Sequence, residues 1–280
     1  MFAIRTATRP SPRSLALLAF AGVVGLIALF AATASAHGTI TLKHRDAVKP
    51  TVVLVHGAFA DATGWSGVIK RLQADGYPVI APANPLRSLS SDSAYIASVL
   101  KQTPGPLVVV GHSYGGAVIT NAAAGNPNVK ALVYIDAFIP DVGEPTLSLA
   151  GKGSLLATAV EYKAFPPFGK NDIDVYIKKD MFREAFCADV SAKTAALMWA
   201  AQRPAAAASG AEPTTAAAWK TVPSWALIGR QDRAITPDAL RFMAKRAGST
   251  IQEIDASHVS MISHPDVATA LIEKAAKATS

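Results

Sequence analysis

After residue 50, short apolar and β-branched runs alternate with longer segments whose apolar residues recur at helical spacing. Such alternation is typical of a parallel sheet covered by helices. The runs predict strands at 51–55, 77–81, 107–110, 131–135, 224–228 and 250–254. The longer segments predict helices at 61–74, 91–101, 117–124, 237–247 and 266–276. We therefore expect an α/β fold with a doubly wound, mostly parallel sheet.

The alternation stops between residues 140 and 222. This stretch holds one segment of helical spacing, 193–201, and an Ala-rich segment, 204–218. Because a structureless loop of about 80 residues is uncommon inside a compact domain, we interpret it as an inserted lid. Its aromatic residues would line an apolar pocket or form the lid's own core, the commoner role: Phe165, Phe168, Phe182, Phe186 and Trp199.

The first 36 residues have the layout of a secretory signal peptide. Three arginines precede an apolar run from Leu15 to about Phe30, which leads into Ala34-Ser35-Ala36. We expect cleavage after Ala36 and a mature domain of residues 37–280. The alternative is an uncleaved membrane anchor, because the apolar stretch approaches the roughly 20 residues that cross a bilayer. Both interpretations export the domain, which would be secreted or periplasmic; cleavage would leave no stable membrane insertion.

Charge and cysteine content exclude some classes of function. Removing the three N-terminal arginines changes the formal charge from +7 (27 basic, 20 acidic residues) to +4 (24 and 20). No Lys/Arg-rich block follows residue 36, so a nucleic-acid partner is not expected. Cys187 is the only cysteine, which excludes an intramolecular disulfide, and a lone cysteine is usually a small buried apolar residue.

The strongest chemical signal is a Gly-x-Ser-x-Gly motif, Gly111 to Gly115 with Ser113 at its centre. The motif directly follows the predicted strand 107–110 and precedes a helix, which is the context of a nucleophile turn. Glycines suit this sharp turn because a Cβ would collide with neighbouring backbone. We therefore predict that Ser113 is the nucleophile.

A serine nucleophile needs a base, and the base needs a carboxylate that orients it. Of the six histidines, His258 follows the last predicted strand and should lie at the same sheet end as Ser113, whereas His56 more plausibly shapes the loop after the first strand. Asp232 follows the penultimate strand, which gives the order Ser, Asp, His. Asp136 and Asp255 are the rival carboxylates.

Negative charge that develops on the substrate oxygen requires nearby N–H donors. We expect them to be the backbone amides of Tyr114, directly after the nucleophile, and of Ala58, in the loop after the first strand.

These residues together resemble the α/β-hydrolase superfamily, and within it the branch of plant methyl esterases and hydroxynitrile lyases. The resemblance is carried by residues 55–59, 111–116, Asp232 and 257–265, and spans roughly 51–140 and 222–275. It implies an α/β-hydrolase fold and a Ser-His-Asp triad. The lid matches only in position, which leaves the substrate open.

The resemblance also distinguishes reaction classes. Hydroxynitrile lyases of this branch carry a Thr after the first-strand His and a Lys after the catalytic His, where this chain has Gly57 and Val259. Without that Lys there is no evident cation for departing cyanide, which disfavours a lyase. A serine at position 113 disfavours the haloalkane dehalogenases and epoxide hydrolases of this fold, whose nucleophile is an Asp.

The sequence thus predicts an exported serine hydrolase that cleaves small, apolar carboxylic esters through an acyl-enzyme and needs no metal or organic cofactor. A lactonase, an amidase and a carbon–carbon-bond hydrolase would use the same triad. A non-catalytic ligand-binding protein is less consistent, because a receptor does not require all three groups.

Overall fold

The computed structural model describes residues 49–165 and 173–279. The predicted signal peptide, the start of the predicted mature domain and Phe168 lie outside these residues. The strands are β1 (Thr51–Val55), β2 (Val79–Ile80), β3 (Leu107–His112), β4 (Val129–Ile135), β5 (Val160–Ala164), β6 (Ile173–Ile177), β7 (Ala205–Ala206), β8 (Ser224–Gly229) and β9 (Thr250–Ile254).

The α-helices are α1 (Ser66–Ala74), α2 (Leu89–Gln102), α3 (Tyr114–Ala122), α4 (Leu156–Ala159), α5 (Phe182–Phe186), α6 (Ala192–Ala200), α7 (Ala207–Ala211), α8 (Pro237–Arg246), α9 (Ser260–Ser263) and α10 (Pro265–Ala278). Short 3₁₀ turns lie at Ala62–Trp65, Thr146–Leu149 and Ala218–Lys220.

The main sheet has six strands in the order β2-β1-β3-β4-β8-β9, and each adjacent pair is parallel. The carboxyl ends of all six strands therefore meet at one edge, where the loops that follow β1, β3, β4, β8 and β9 converge. In open α/β sheets this edge carries the ligand site. The predicted α/β fold with a parallel sheet is confirmed.

Helices cover both faces of the sheet. Along β1, Val52 and Leu54 pack into one apolar cluster with α1 and α10, whereas Val53 and Val55 pack into the other with α2, α3 and α8. This alternation follows from the strand period of two residues. Because both faces are covered, the central strands are apolar throughout, as in β3, whose six residues are all buried.

The segment between β4 and β8 is an insertion with its own secondary structure. It contains α4 to α7 and a small antiparallel sheet in the order β5-β6-β7, which the sequence analysis did not predict. The alternation of apolar and polar residues at Ile173–Ile177 could have indicated the strand β6. The predicted helix at 193–201 is present as α6. Whether the insertion acts as a lid stays a prediction.

One helix boundary differs in a way that matters for the site. The helix predicted to begin at Ala117 begins at Tyr114 instead, directly after Ser113. The first residues of this helix were not predicted, because Gly115 and Gly116 are weak helix formers. Their small size allows α3 to approach the sheet, because a Cβ on Gly116 would lie 2.4 Å from the Phe138 carbonyl oxygen.

Candidate active site

Ser113 occupies a strained turn between β3 and α3. Its φ of 52° is unfavourable for a residue with a side chain. The flanking glycines make the turn possible: a Cβ on Gly111 would lie 2.6 Å from the Gly115 carbonyl oxygen, and one on Gly115 would lie 2.4 Å from the Val55 carbonyl oxygen. Ser113 thus stands at the N-terminus of α3, whose first N–H groups have no partner within the helix.

Three of the predicted site residues are joined in one chain of hydrogen bonds. Ser113 Oγ lies 2.8 Å from His258 Nε2, and His258 Nδ1 lies 2.7 Å from Asp232 Oδ2. All three side chains are buried. They come from the loops after β3, β9 and β8, whose carboxyl ends meet at one sheet edge.

Asp232 is held independently of the histidine. Its Oδ1 accepts hydrogen bonds from the amides of Ala234 and Ile235, at 2.8 and 2.9 Å. Its Oδ2 is left to accept from His258 Nδ1, so the His258 proton sits on Nδ1 and the lone pair of Nε2 faces Ser113. This is the tautomer that a general base requires.

The environment of His258 favours its protonated form. Burial lowers the pKa of His258, but the charge and hydrogen bond of Asp232, with a further contribution from the charge of Asp136, raise it above the usual 6.5. His258 is thus set to take up the proton that a serine nucleophile must release.

Two further contacts hold the loop that carries His258. His112 Nε2 donates to the His258 carbonyl oxygen at 2.9 Å, and the two rings are 5.0 Å apart. Burial keeps the pKa of His112 well below 6.5, so His112 stays neutral. On the other side, the Ser257 hydroxyl donates to the Asp189 carboxylate, which belongs to the insertion. The insertion is therefore bonded directly to the loop of His258.

His56 shapes the loop after β1. Its Nε2 accepts from the Asn84 amide at 2.9 Å, which leaves Nδ1 to donate to the Gly57 carbonyl oxygen, also at 2.9 Å. Burial lowers the pKa of His56. The loop passes close to the nucleophile: a Cβ on Gly57 would lie 2.7 Å from Ser113 Cβ.

The two predicted oxyanion donors belong to the two segments that lie next to Ser113. Ala58 follows Gly57 in the loop just described, and Tyr114 is the first residue of α3. The next amide, that of Phe59, donates to the Arg203 carbonyl oxygen of the insertion at 3.0 Å, so the insertion also fixes this loop.

Asp136 is a second buried carboxylate at this edge of the sheet. The sequence analysis weighed it only as a rival partner for the histidine, but the structure gives His258 Nδ1 to Asp232. Asp136 bonds instead to Gly229 and Ser260. The other rival, Asp255, is exposed and pairs with Arg230 at 2.8 Å.

An apolar cavity of about 270 Å³ lies between α6, α9 and the turn at Ala62–Trp65, and Ser113, Asp232 and His258 are not among the residues that line it. Phe59 lines the cavity and packs edge-on against Phe186 at 6.1 Å, and Phe186 lies 5.2 Å from the His258 ring. Of the predicted aromatic residues of the insertion, Phe182 and Phe186 are buried, and Phe186 packs against the ring of His258. The apolar lining is Phe59, Ala60, Met198, Ala201, Met261 and Ile262.

Within residues 49–165 and 173–279, no group of three or more His, Cys, Asp or Glu side chains could hold a metal ion. No helix within them is long and apolar enough to cross a membrane. Cys187 is buried, and burial raises the pKa of its thiol to about 12, which leaves it without thiolate character near neutral pH.

Known proteins share this architecture. Residues 52–270 match the model of the alpha/beta hydrolase family. An alpha/beta hydrolase, nvfD, from Aspergillus novofumigatus (strain IBT 16806) is 28% identical over 254 residues, which are 82% of this chain and 97% of the fungal protein.

Solved structures agree in fold. Polyneuridine aldehyde esterase superposes with a TM-score of 0.71 at 17% identity, over 81% of this chain and 98% of that protein. A methylesterase from Arabidopsis superposes with a TM-score of 0.69 at 18% identity, over 81% and 99%. The predicted resemblance to the plant methyl esterase branch is confirmed by these neighbours.

Proposed function

We propose that this chain cleaves small carboxylic esters with Ser113 as nucleophile. The chain belongs to the alpha/beta hydrolase family and is an esterase-like serine hydrolase. The observation that carries this proposal is the continuous hydrogen-bond chain from Ser113 Oγ through His258 to Asp232. A serine hydroxyl, a base and an orienting carboxylate in this order are the parts that acyl transfer needs.

The reaction proceeds in two halves. Ser113 Oγ attacks the ester carbon while His258 Nε2 takes its proton, and the alcohol leaves with that proton to give an acyl-enzyme. Water then attacks the acyl-enzyme while His258 takes its proton, and that proton passes to Ser113 Oγ as the bond to the acyl group breaks and the acid is released. Asp232 orients His258 and stabilises its charged form through both half-reactions.

The amides of Ala58 and Tyr114 are the proposed donors to the oxyanion. Ala58 follows Gly57, which lies close to Ser113, and Tyr114 directly follows Ser113, where the helix dipole of α3 adds positive potential. One such donor is worth about 3 kcal/mol of transition-state stabilisation.

The substrate is proposed to be apolar. The cavity at α6 and α9 is lined by two methionines and further apolar side chains, which adapt to an acyl chain or an aromatic group. Phe59 lines the cavity and contacts Phe186, which packs against His258, so a substrate group would reach the cavity past these two rings. The insertion provides α6, one wall of the cavity, which supports its proposed role as a lid.

Two positions support hydrolysis rather than cyanohydrin cleavage. A Cβ on Gly57 would lie 2.7 Å from both Ser113 Cβ and the His112 carbonyl oxygen, so the threonine of the lyases does not fit here without movement of the backbone. Val259, where the lyases carry a lysine, is fully buried and supplies no cation for a leaving cyanide.

Export is proposed from the N-terminal pattern of arginines, apolar run and Ala34-Ser35-Ala36, with cleavage after Ala36 and a secreted or periplasmic mature enzyme.

Turnover of p-nitrophenyl esters and labelling by a fluorophosphonate probe test the proposed reaction. We expect both in the parent protein and neither in Ser113→Ala, whereas Ser98→Ala, on the exposed face of α2, should retain both. A parent that neither reacts nor labels would refute the hydrolase, and equal turnover by Ser113→Ala would refute Ser113 as nucleophile. Amide and lactone substrates in the same panel separate an esterase from an amidase or a lactonase.

A further inference from the structure

We infer that Asp136 is a positioning residue of the active site, whose carboxylate ties the loop of Asp232 to the loop of His258 and adds a second negative charge beside the base. The inference rests on the proposed function, because it assigns a role within the same triad. This role differs from that of Asp232, which accepts the hydrogen bond of His258 Nδ1.

One oxygen of Asp136 fixes the strand end that leads to Asp232. Oδ1 accepts a hydrogen bond from the Gly229 amide at 2.8 Å, and Gly229 is the last residue of β8. Asp232 follows three residues later. A hydrogen bond to a buried carboxylate is stronger than one between neutral groups, so this contact restrains where the acid loop begins.

The other oxygen fixes the turn that follows His258. Oδ2 accepts from the Ser260 amide at 3.0 Å and from the Ser260 hydroxyl at 2.5 Å, and Ser260 is the first residue of α9. The two oxygens of one side chain thus reach both loops of the triad. All three partners are donors, which is the arrangement an ionised carboxylate requires.

The backbone at Asp136 is also unusual. Asp136 directly follows β4 and has a φ of 46°, a left-handed conformation that aspartate tolerates better than most residues with a side chain. The Asp136 amide donates to the Leu227 carbonyl oxygen at 2.9 Å. The main chain and the side chain of Asp136 are therefore both bonded to β8.

The charge of Asp136 is coupled to the charges of its neighbours. Burial and the charge of Asp232 raise the pKa of Asp136, whereas the charge of His258 and the hydrogen bonds from Ser260 lower it and favour the ionised form. In return, an ionised Asp136 raises the pKa of His258. The titratable groups that act on Asp136 are thus Asp232, from the loop after β8, and His258, from the loop after β9.

The consequence is a defined effect on catalysis. When His258 takes the proton of Ser113, the ionised Asp136 stabilises the imidazolium, in addition to Asp232. Loss of the Asp136 charge should therefore lower the pKa of His258 and shift the acid limb of the pH profile to lower pH. A purely structural role would reduce activity or stability and leave that limb in place.

Asp136→Asn tests the inference, with Asp255→Asn as the matched control. Asp255 is a carboxylate that lies close to His258 in the chain, but it is exposed and paired with Arg230. For Asp136→Asn we expect the acid limb of kcat/KM to move down by about 0.5 pH unit or more, with a roughly tenfold lower plateau. For Asp255→Asn, we expect the limb to stay in place because solvent screens an exposed charge.

An NMR titration of the His258 ring separates this inference from the proposed function, because it needs no substrate. A His258 pKa unchanged in a folded Asp136→Asn protein would overturn the inference even if the enzyme is active. Should Asp136→Asn fail to fold, Ser260→Ala removes one donor to the carboxylate and should shift the His258 pKa downward by a smaller amount. An unchanged value in that variant would likewise contradict it.

Discussion

At the scale of single residues, the proposed nucleophile Ser113 is confined by nearby glycines. The turn at Ser113 is closed by Gly111 and Gly115, and the loop at Gly57 passes within contact of the serine side chain. Glycine at these positions is required by space, because each Cβ would meet backbone atoms. The motif around the nucleophile could be recognised from sequence for this reason, whereas the contact of Gly57 with Ser113 joins segments far apart in the chain.

Gly57→Ala should therefore damage both stability and activity. The added Cβ would lie 2.7 Å from the His112 carbonyl oxygen and from Ser113 Cβ, which forces the loop away from the nucleophile. We expect the free energy of unfolding to fall by about 1–3 kcal/mol, as in overpacked cores, together with a loss of kcat. Denaturant unfolding and ester turnover measure the two effects.

Gly64→Ala is the control for that experiment. A Cβ on Gly64 would have its nearest neighbour, Met261 Cε, at 3.6 Å, an ordinary contact distance. A Gly57→Ala protein as stable and as active as Gly64→Ala would show that the loop yields without cost.

The pH dependence of hydrolysis follows from the state of His258. The base must be neutral to accept the proton of Ser113, and its pKa is raised above 6.5 by Asp232 and Asp136 despite its burial. Activity should thus be full above this raised pKa and decline as the pH falls through it. A profile of kcat/KM should place the midpoint of the acid limb above pH 6.5, and a midpoint clearly below 6.5 would contradict the assignment.

At the scale of secondary-structure elements, the parallel strands were predictable, whereas the small antiparallel sheet of the insertion was not. A short, buried and largely β-branched run such as Val52–Val55 is compatible with few structures other than a central strand. Within the insertion, β7 is two residues long and lies in an Ala-rich stretch that has no periodicity to read. Its pairing with β6 is set by tertiary contacts, which no local pattern encodes.

The cavity between α6, α9 and the turn at Ala62–Trp65 predicts a dependence on substrate size. A leucine at Gly64 would project toward Met261 and Ile262 and occupy part of the cavity. We expect Gly64→Leu to lower kcat/KM for p-nitrophenyl octanoate by about tenfold relative to the acetate, since one or two lost methylene contacts are worth that much.

Gly64→Ala should preserve the ratio of octanoate to acetate turnover, because a methyl group leaves the cavity largely open. Equal losses on both esters in Gly64→Leu would mean that the acyl chain lies elsewhere. This outcome would leave the proposed triad unaffected.

At the scale of the whole molecule, one edge of the sheet collects every group that the proposed chemistry uses. Ser113, Asp232 and His258 were predictable because each follows a strand and all parallel strands end at the same edge. The bonds that hold these residues were not predictable from sequence. Asp189 and Asp136 form hydrogen bonds with residues more than sixty positions away in the chain. The residues next to them in sequence do not indicate these bonds.

Export gives a prediction for the complete chain. If the first 36 residues are a cleaved signal, the secreted or periplasmic protein should begin at His37 and carry a formal net charge of +4. N-terminal sequencing and the intact mass of the exported product measure this. Replacing Ala34 and Ala36 by bulky residues should block cleavage, and a mature protein that retains Leu15 would support an anchor instead.

The pairing of β4 with β8 has a consequence for how the chain folds. Leu132 pairs with Ser224, so the whole insertion lies between two adjacent strands. Closing such a long loop costs entropy before any contact compensates for it, and contacts distant in sequence slow folding. The half of the sheet formed by β1, β3 and β4 can assemble earlier. We expect the turn at Ser113 to form before β8 and β9 deliver Asp232 and His258, so that reactivity appears late in folding.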